Sequence, residues 1–529
     1  MSSRVFYLML LALAVVTAVG SVLDVMEVDA AQYAGMSRDM LVNGDLLQLH
    51  FRGHDYLDKP PLLFWLSAFS FKVFGVHNWS YKLPSIFFAF LGVFATYRFA
   101  ALHYAKQVAQ WAALMFGSSA AFLLMTNDVR CDTILTGSVI TAIWLGSAWM
   151  EERRWGQLLG CALAIAAGML TKGPMGAMAP LLALGGEFVF KKKWNVLRDP
   201  RLYVLPLVVA ALLVPMCIGL YEQHGLHGLR FYFWEQSFGR ITGENRWKDD
   251  SSYFFFTHEV LWETLPWTPI VLVGIWRSVV AVFKRVPLAE YASVCGAVLV
   301  FIALSLSQFK LPHYLYVIMP LLAVLGAQAL HSVYTSALRY TQVVVTLLLA
   351  AVAAFLFGWC FPQGSLPYFA MLVGGLLGSG VMLLLLPATG RTLFAFVFMN
   401  MLFIGYGVDK HAYPQLLAYQ ANARAGKWAS EHKLDQEHFY GMQVSGTSLD
   451  FYAGYPVKWL SNAGEARAVI REGVVIYTDS SRYRELREAG LAPRSVTEWS
   501  DYDVQLLSID FLLPSERTKV LEPRYLLQY

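Results

Sequence analysis

The stretch FYLMLLALAVVTAVGSVL, residues 6–23, is followed almost at once by EVDAAQYAGMSRDMLVNGDLLQLHFRGHDYLDKPPLLFW, residues 27–65. The first segment is apolar and long enough to cross a bilayer core, which takes about 20 residues as a helix. No convincing cleavage site follows it, so we interpret it as a retained first span rather than a removed signal peptide. The second segment is polar and then apolar again, which is typical of a loop that leaves the membrane and returns to its surface.

The composition indicates a membrane protein. Of the 529 residues, 57% are hydrophobic and only 15% are charged, whereas soluble domains carry about 25% charged residues. The net charge of +4 comes without a long basic run, so nucleic-acid binding has no support. The five cysteines lie in or beside apolar segments, so neither a disulfide framework nor a cysteine metal site is indicated.

Thirteen apolar segments are predicted to span the membrane as helices. They cover residues 4–24, 81–101, 107–127, 132–150, 156–171, 174–190, 201–220, 262–283, 289–306, 312–330, 340–361, 366–386 and 391–408. The apolar run at 60–75 is shorter and is interrupted by Lys72, so we expect a helix that lies in the membrane interface.

Basic residues in the short loops set the orientation, because cytoplasmic loops carry most of the lysines and arginines. They fall on the side of the N-terminus, at Lys106, EERRW (151–155), KKKWNVLRDPR (191–201), FKRVP (283–287), SALRY (336–340) and ATGR (388–391). The N-terminus is therefore predicted to be cytoplasmic, and an odd number of spans places the C-terminus outside. The exoplasmic side then holds the loops 25–80 and 221–261 and everything after residue 408.

The part of the chain from 409 to 529 has a different pattern from the rest. Strand-like runs at 438–444, 473–479 and 502–512 alternate with helix-like runs at 419–432, 462–471 and 481–490. We therefore expect an α-helical polytopic domain over 1–408, followed by a small exoplasmic α/β domain over 409–529. The second domain shows no glycine-rich nucleotide fingerprint, no Ser-His-Asp order and no metal-ligand cluster.

The unusual charged residues gather on one predicted face of the membrane. Besides the first loop they occupy three short turns, NDVRCD (127–132), TKGP (171–174) and SQFKLPHY (307–314). A transporter more often buries its ionisable groups at mid-membrane depth between broken helices. Charged helix ends at one surface instead favour an enzyme that acts on lipid-linked substrates, with a lipid or solute transporter as the alternative.

Two aspartates are candidates for acid–base chemistry. Asp29 follows the first span, and Asp132 begins the fourth span after a short loop that carries Asp128 and Arg130. Two carboxylates that face one cavity can divide the work, one aligning or deprotonating an acceptor and the other orienting the first. Taken singly, Asp29 could equally be an ordinary interface residue, and Asp128 could simply be solvated.

Three lysines in short turns are candidates for phosphate binding. Lys59 precedes two prolines in YLDKPP, and Lys172 and Lys310 stand beside glycine or near proline. Proline fixes the chain direction, and a pinned cation can neutralise the charge of a departing phosphate. Tyr56 and Tyr314 could add hydrogen bonds to the phosphate. Anchoring at the membrane interface is the alternative for these side chains.

The aromatic loop at 221–261 adds three candidates. The Arg240 guanidinium could grip a phosphate with two hydrogen bonds. Glu235 and His258 could belong to a metal site, although no ligand spacing requires one and a structural role is the simpler interpretation.

Several motifs together resemble GT-C membrane glycosyltransferases. VDAAQYAGMSRDMLVNGDLL (28–47) and YLDKPPLLFWL (56–66) are similar to the first exoplasmic loop of the bacterial 4-amino-4-deoxy-L-arabinose lipid A transferase and protein-mannosyltransferase-like group. TKGP, FWEQSFGR (233–240) and SQFKLPHYLYVIMP (307–320) resemble later motifs of that group, in the same order. The resemblance covers residues 1–330, and beyond them only the layout is similar.

The resemblance implies roles for individual residues. Asp29 would be the catalytic carboxylate and Asp132 its partner. Asp58 and Glu235 would be candidates for a divalent-cation site, since members of the group differ in their use of a metal. The residues implied to hold the donor phosphate are Lys59, Tyr56, Arg240 and Tyr314.

The resemblance also implies an activity. It predicts transfer of a sugar, with inversion, from a polyprenyl-phosphate donor to lipid A or another envelope acceptor at a bacterial inner membrane, without a nucleotide cofactor. A protein hydroxyl or a surface polysaccharide is the alternative acceptor. One departure bears on the substrate: the arabinose transferases usually have Asp-Glu where this chain has Asp29-Ala30, so an identical sugar or acceptor is in doubt.

Overall fold

The structure is a computed structural model that describes residues 1–236, 239, 251–444 and 446–529. Helices dominate the part before residue 408. They are α1 (Ser3–Ser21), α2 (Asp29–Asn43), α3 (Leu62–Phe74), α4 (Asn78–His103), α5 (Lys106–Gly117), α6 (Ala120–Asn127), α7 (Cys131–Glu152), α8 (Trp155–Lys172), α9 (Met175–Phe190), α10 (Val204–Arg230), α11 (Phe255–Glu263), α12 (Thr268–Phe283), α13 (Ala292–Ser305), α14 (Met319–Ser332), α15 (Ser336–Phe355), α16 (Leu366–Leu385) and α17 (Gly390–Gly407).

Many of these helices are suited to cross a membrane. Eight helices in the described part of the chain are long and apolar enough to span it, and a ninth span results if the bent pair α5–α6 is counted as one. Helices α3, α9, α12 and α13 are shorter but also apolar. The prediction of a polytopic, α-helical membrane protein is confirmed. The thirteen predicted segments all fall on helical structure, while the number of membrane crossings stays a prediction.

The predicted span at 107–127 is wrong as a single helix. Helices α5 and α6 meet at an angle of 51°. The Ser119 hydroxyl accepts a hydrogen bond from the backbone N–H of Phe122 and so caps the start of α6. A serine that satisfies a free backbone donor favours a new helix start over continuation.

Helix α7 lies at the centre of the helical part. In its most apolar stretch 89% of the residues are buried, and it packs against α4 and α8. Gly137 allows the close approach to α4, because an added Cβ there would lie 2.2 Å from the Phe88 carbonyl oxygen. The first residues of α7, Cys131 and Asp132, are therefore held at the end of the most rigidly packed helix.

The first loop is itself folded. Helix α2 begins at Asp29 and ends at Gly44, which has a positive φ of 74°. A two-stranded antiparallel hairpin, β1 (His50–Phe51) and β2 (His54–Asp55), follows it. The predicted interfacial helix at 60–75 corresponds to α3. Helices α2 and α3 share a buried apolar cluster with α4 and α7, which fixes the loop against the ends of the spans.

The last part of the chain contains a five-stranded sheet with the order β4-β3-β5-β7-β6. Its strands are β3 (Phe439–Met442), β4 (Lys458–Leu460), β5 (Val475–Asp479), β6 (Ser495–Asp501) and β7 (Glu522–Gln528). Strand β3 is parallel to β4 and β5, whereas β7 is antiparallel to β5 and β6. The accompanying helices are α18 (Tyr413–Leu417), α19 (Ala421–Glu431), α20 (Thr447–Ala453), α21 (Ala463–Val469), α22 (Ser480–Glu488), α23 (Ile509–Leu512) and α24 (Pro514–Arg517).

Two of the three strands predicted in this part are confirmed, as β3 and β5. The strand predicted at 502–512 is wrong, since the segment contains turns and helix α23. The segment is instead folded on itself, with the Tyr502 ring stacked on that of Phe511 at a centroid distance of 4.0 Å. The Ser508 side chain caps α23 by accepting a hydrogen bond from the Phe511 N–H.

The sheet-containing part contacts the first loop through buried charges. Arg52 donates two hydrogen bonds to the Asp450 carboxylate, at 2.7 and 2.8 Å. Arg38 donates to the Asp450 backbone carbonyl at 2.6 Å. Both arginines belong to the first loop, so the loop and the last part of the chain form one packed unit.

Candidate active site

Asp29 is the first residue of α2 and takes part in a chain of charges. Its Oδ2 accepts a hydrogen bond from Arg130 Nη1 at 2.7 Å, and Arg130 Nε donates to Asp128 Oδ2, also at 2.7 Å. The Asp29 side chain is 33% exposed, while that of Arg130 is 14% exposed. Burial lowers the pKa of Arg130, but Asp128 and Asp29 raise it more, so its net shift is upward. Arg130 is therefore a fixed cation that leaves one side of Asp29 open.

Lys59 lies beside Asp58, with its Nζ 2.6 Å from the Asp58 Oδ2. The two prolines that follow it lead directly into α3, so the lysine is anchored at the entry of a packed helix. Burial lowers the pKa of the Lys59 ammonium, but Asp58 and Tyr314 raise it, so the net shift is upward. The Gln236 side chain donates a hydrogen bond to the backbone carbonyl of Asp58.

Lys172 and Asp132 form the second buried ion pair. The Lys172 Nζ lies 2.5 Å from Asp132 Oδ1, and the Asp132 side chain is only 3% exposed. His313 Nε2 is 3.7 Å from the other Asp132 oxygen. The Lys172 Nζ also lies 3.8 Å from the centre of the Tyr314 ring. Asp132 therefore orients Lys172, and its contacts with Lys172 and His313 favour this role over that of a direct partner of Asp29.

The two ion pairs surround one buried thiol. Cys131 is 1% exposed and lies within electrostatic range of Asp29, Lys59, Asp132 and Lys172. Four of the residues predicted from the sequence are thus brought together at the start of α7. Because α7 is the most buried helix, the site has a rigid base.

Tyr56 joins the site together with Tyr33, which the sequence analysis did not single out. Both rings pack edge-on against Phe64, with ring centroids 5.6 Å (Tyr33) and 6.2 Å (Tyr56) from the Phe64 ring. Burial and the nearby Asp58 carboxylate raise the pKa of Tyr56 well above its usual value. Tyr33 stands four residues after Asp29, on the same face of α2. That spacing is the signal by which it could have been found.

Lys310 is buried, at 6% exposure. Its Nζ lies 3.2 Å from the backbone oxygen and 3.3 Å from the hydroxyl of Ser251, and 5.6 Å from the centre of the Tyr253 ring. These contacts place it beside the end of the 221–261 loop. Arg240 lies outside the described residues, so its predicted role stays a prediction.

A resident metal ion is not supported by the side chains that the structure describes. Asp58 is paired with Lys59, and Glu235 Oε1 lies 3.1 Å from Arg230 Nε. Within residues 1–236 and the other described ranges, no group of three or more His, Cys, Asp or Glu side chains is arranged to hold a metal. The chemistry is therefore derived from the protein side chains alone.

Glu263, at the end of α11, is a further buried group that the sequence analysis missed. It is 1% exposed, and within the described part of the chain neither carboxylate oxygen has a hydrogen-bond partner. A lone acidic residue within the aromatic run VLWETLPW was the available signal.

Comparisons in sequence extend over part of the chain. A family model described as Dolichyl-phosphate-mannose-protein mannosyltransferase matches residues 58–218. The undecaprenyl phosphate-alpha-4-amino-4-deoxy-L-arabinose arabinosyl transferase of Pseudomonas aeruginosa is 28% identical over 321 residues, which are 57% of this chain and 55% of that protein. An enzyme of the same description, numbered 2, from Proteus mirabilis is 24% identical over 309 residues, 57% of this chain and 54% of its own. The chain thus matches about half the length of these relatives.

The comparison of structures extends over nearly the whole chain. ArnT from Cupriavidus metallidurans, solved bound to undecaprenyl phosphate, superimposes with a TM-score of 0.73 at 19% identity and covers 99% of this chain and 98% of its own. Its apo form gives a TM-score of 0.70 at 18% identity. The resemblance indicated by the first-loop motifs is confirmed in sequence and in fold. From end to end, the chain has the fold of a GT-C membrane glycosyltransferase.

Proposed function

We propose that the chain transfers a sugar from a polyprenyl-phosphate donor to lipid A or another envelope acceptor at the periplasmic face of a bacterial inner membrane. One observation carries the proposal: at the start of α7, Arg130 holds the Asp29 carboxylate at 2.7 Å and Asp132 pairs with Lys172 at 2.5 Å, while Lys59 lies within electrostatic range of the intervening Cys131. A partly exposed carboxylate beside two anchored ammonium groups suits transfer from a phosphate leaving group. The arabinosyl transferases that share sequence with the chain, and the fold of ArnT, support the same activity.

The donor phosphate would be held by cations that the protein already keeps in place. Lys59 would exchange its contact with Asp58 for phosphate oxygens, and Lys172 would approach from the side of α8. Tyr56 and Tyr314 would donate hydrogen bonds, and Arg240 would close over the phosphate from the 221–261 loop. Because Lys59 and Lys172 are held by Asp58 and Asp132 before the donor binds, these two ammonium groups need little reorganisation when negative charge develops on the leaving phosphate.

Asp29 would act on the acceptor. Its carboxylate would align the acceptor hydroxyl and take its proton while the acceptor oxygen bonds to the anomeric carbon. The bond from that carbon to the phosphate oxygen breaks in the same step, so the polyprenyl phosphate leaves with the electron pair and the sugar is inverted. If the acceptor is a phosphate group, it needs little base catalysis, and Asp29 would mainly orient it.

Asp132 is assigned a supporting role in this mechanism. Its Oδ1 lies 2.5 Å from Lys172, so it orients that cation toward the donor. Lys310 would support the 221–261 loop through Ser251 rather than contact the phosphate directly. Asp58 and Glu235 already face Lys59 and Arg230, so we route no step through a metal.

The proposed arrangement in the membrane follows the basic loops. The N-terminus would be cytoplasmic, and residues 409–529 would form a periplasmic domain behind the catalytic membrane domain 1–408. Contact between the first loop and Asp450 supports a shared side for these two parts. The donor would enter sideways from the bilayer, past helix α3.

A second acceptor is favoured by one observation. The family model that matches residues 58–218 is described as a protein mannosyltransferase. A protein hydroxyl is therefore the second candidate, with the same donor chemistry. A transporter receives less support, because the charged groups of the site lie at helix ends.

Mass spectrometry of lipid extracts and envelope glycans tests the proposal. Cells that make the wild-type chain, Asp29→Asn or no chain are compared. A sugar-sized mass on lipid A or on another acceptor should require the chain and should disappear with Asp29→Asn at equal protein level. Unchanged modification by Asp29→Asn would contradict the catalytic assignment, and a change only in where a lipid accumulates would indicate transport.

A further inference from the structure

Val28, the residue immediately before Asp29, has a backbone conformation that β-branched residues rarely adopt. Its φ is 69° and its ψ is −114°. At positive φ the Cβ of a non-glycine residue crowds the backbone, and strain of this kind persists only where the surroundings enforce it. The peptide units on either side of Val28 must therefore be held by other parts of the molecule.

Glu27 provides one of these anchors. Its backbone N–H donates to the Gln420 side chain at 2.7 Å, and its carbonyl accepts a hydrogen bond from Gln505. Its carboxylate accepts hydrogen bonds from the backbone N–H groups of Thr447 and Ser448 and from the Ser448 hydroxyl. Every polar group of Glu27 is thus bonded to the C-terminal part of the chain.

Thr447 provides the second anchor. Its hydroxyl donates to the Val28 carbonyl at 2.9 Å. A cavity of about 480 Å³, lined in part by Glu27, Val28 and Thr447, opens beside these groups. Because the space next to the Val28 peptide is open, hydrogen bonds from the C-terminal part, rather than packing, determine the direction in which α2 starts at Asp29.

We propose that Glu27 is a positioning residue through which the C-terminal part of the chain orients the Asp29 carboxylate for sugar transfer. This inference rests on the proposed function, since it requires Asp29 to act on the acceptor. Arg130 fixes the Asp29 carboxylate at 2.7 Å, and Glu27 fixes the backbone that carries it. Without Glu27, Val28 relaxes to a negative φ, and the Asp29 side chain turns away from the acceptor.

The test uses the full chain with three variants, Glu27→Ala, Glu27→Gln and the double variant Glu27→Ala/Val28→Gly. Transfer is followed in cells by the modified fraction of the acceptor. Binding of undecaprenyl phosphate and the unfolding temperature are measured on the purified proteins. Glu27→Ala should lower transfer at least about tenfold, because a misplacement of about 1 Å can cost about a hundredfold. Binding of undecaprenyl phosphate should stay within about twofold, because the lost interaction acts on turnover rather than on the donor.

The double variant separates positioning from general support of the fold. Glycine adopts a positive φ without strain, so Glu27→Ala/Val28→Gly should recover at least about threefold in transfer over Glu27→Ala. Glu27→Gln keeps one acceptor oxygen, so its transfer should lie between those of wild type and Glu27→Ala. Its transfer can still be measured if Glu27→Ala fails to fold. Glu437→Ala removes an exposed glutamate, paired with Lys458 in the same part of the chain, and serves as the matched control.

The possible results distinguish failure of the positioning role of Glu27 from failure of the proposed function. If Glu27→Ala and Glu27→Gln transfer like wild type while Asp29→Asn is inactive, the positioning role is wrong and the proposed function stands. The positioning role is also wrong if Val28→Gly recovers nothing, or if donor binding falls as much as transfer. If Asp29→Asn retains transfer, the proposed function itself fails, whatever Glu27 does.

Discussion

Arg130 donates a hydrogen bond to the Asp29 carboxylate at 2.7 Å and at the same time satisfies the buried carboxylate of Asp128. One guanidinium therefore links the loop before α7 to the first residue of α2. The planar fork of arginine suits two carboxylates at once, which a lysine cannot reproduce. The orientation of Asp29 and the stability of the loop thus depend on the same side chain.

Replacing Arg130 by alanine should lower the stability of the loop before α7 and leave the Asp29 carboxylate without its orienting partner. Asp128 is 7% exposed and would lose its cation, which costs about 3–5 kcal/mol of the free energy of unfolding. The double variant Arg130→Ala/Asp128→Asn should regain most of that stability, because no buried charge is then left unpaired. Transfer should stay at least about tenfold low in both variants, because Asp29 has lost its orienting partner. Recovery of transfer together with stability would show that Arg130 acts on the fold alone.

Lys59 should determine the affinity for the donor phosphate. Lys59→Gln keeps a polar side chain, one atom shorter, but removes the charge, so binding of undecaprenyl phosphate should weaken by about 2 kcal/mol, or about thirtyfold. Lys59→Arg should retain part of the affinity. Lys72→Gln, an exposed lysine on α3, is the matched control and should bind normally. Native mass spectrometry with increasing undecaprenyl phosphate measures both. Equal binding by Lys59→Gln and Lys72→Gln would exclude a phosphate contact.

Part of this site was predictable because its charges are out of place for a membrane protein. Asp29, Lys59, Asp132 and Lys172 stand at the ends of apolar segments, and the proline pair after Lys59 marks a rigid turn. The length of the apolar segments also predicted the helices, because a segment of about 20 apolar residues that crosses a membrane has few structures open to it other than a helix. Strands β3 and β5 were predictable for a similar reason, because they are buried apolar runs.

The pairing of these charges was not predictable from spacing. Asp132 pairs with Lys172, forty positions later in the chain, and that contact exists only because α7 and α8 pack side by side. The sequence signals for Tyr33 and Glu263 were weak, a spacing of four residues from Asp29 and a single acidic residue in an aromatic run, and only burial in the structure distinguishes these side chains. The strand expected at 502–512 is wrong because the stack of Tyr502 on Phe511 and the Ser508 cap of α23 stabilise a turn and a short helix, which the alternation of apolar residues does not reveal.

The contact between Arg52 and Asp450 should hold the C-terminal part of the chain to the first loop. Asp450 is buried, so Arg52→Ala leaves its carboxylate without the bidentate partner and should cost about 3 kcal/mol. Arg494→Ala breaks an ion pair with Glu472 that is exposed on both sides and should cost about 0.5 kcal/mol or less. Limited proteolysis in detergent compares the two. The Arg52 variant should release a C-terminal fragment sooner. Equal cleavage rates would show that the contact between Arg52 and Asp450 does not hold the C-terminal part to the first loop.

The turn that carries Lys172 should depend on the close contact of α8 and α9. A Cβ at Gly176 would lie 2.2 Å from the backbone carbon of Gly168, which no flexible side chain can relieve. Gly176→Ala should therefore push the two helices apart at this end, cost about 1–3 kcal/mol of stability and move Lys172 away from Asp132. Gly185 lies on the same helix, and a Cβ added there meets nothing within 4 Å. Gly185→Ala should therefore change neither the stability nor the position of Lys172. Unfolding temperature and donor binding are measured for the two variants side by side. If Gly176→Ala is less stable but binds the donor as well as wild type, the position of Lys172 does not matter for donor binding. The Lys172 ammonium would then not be a ligand of the phosphate.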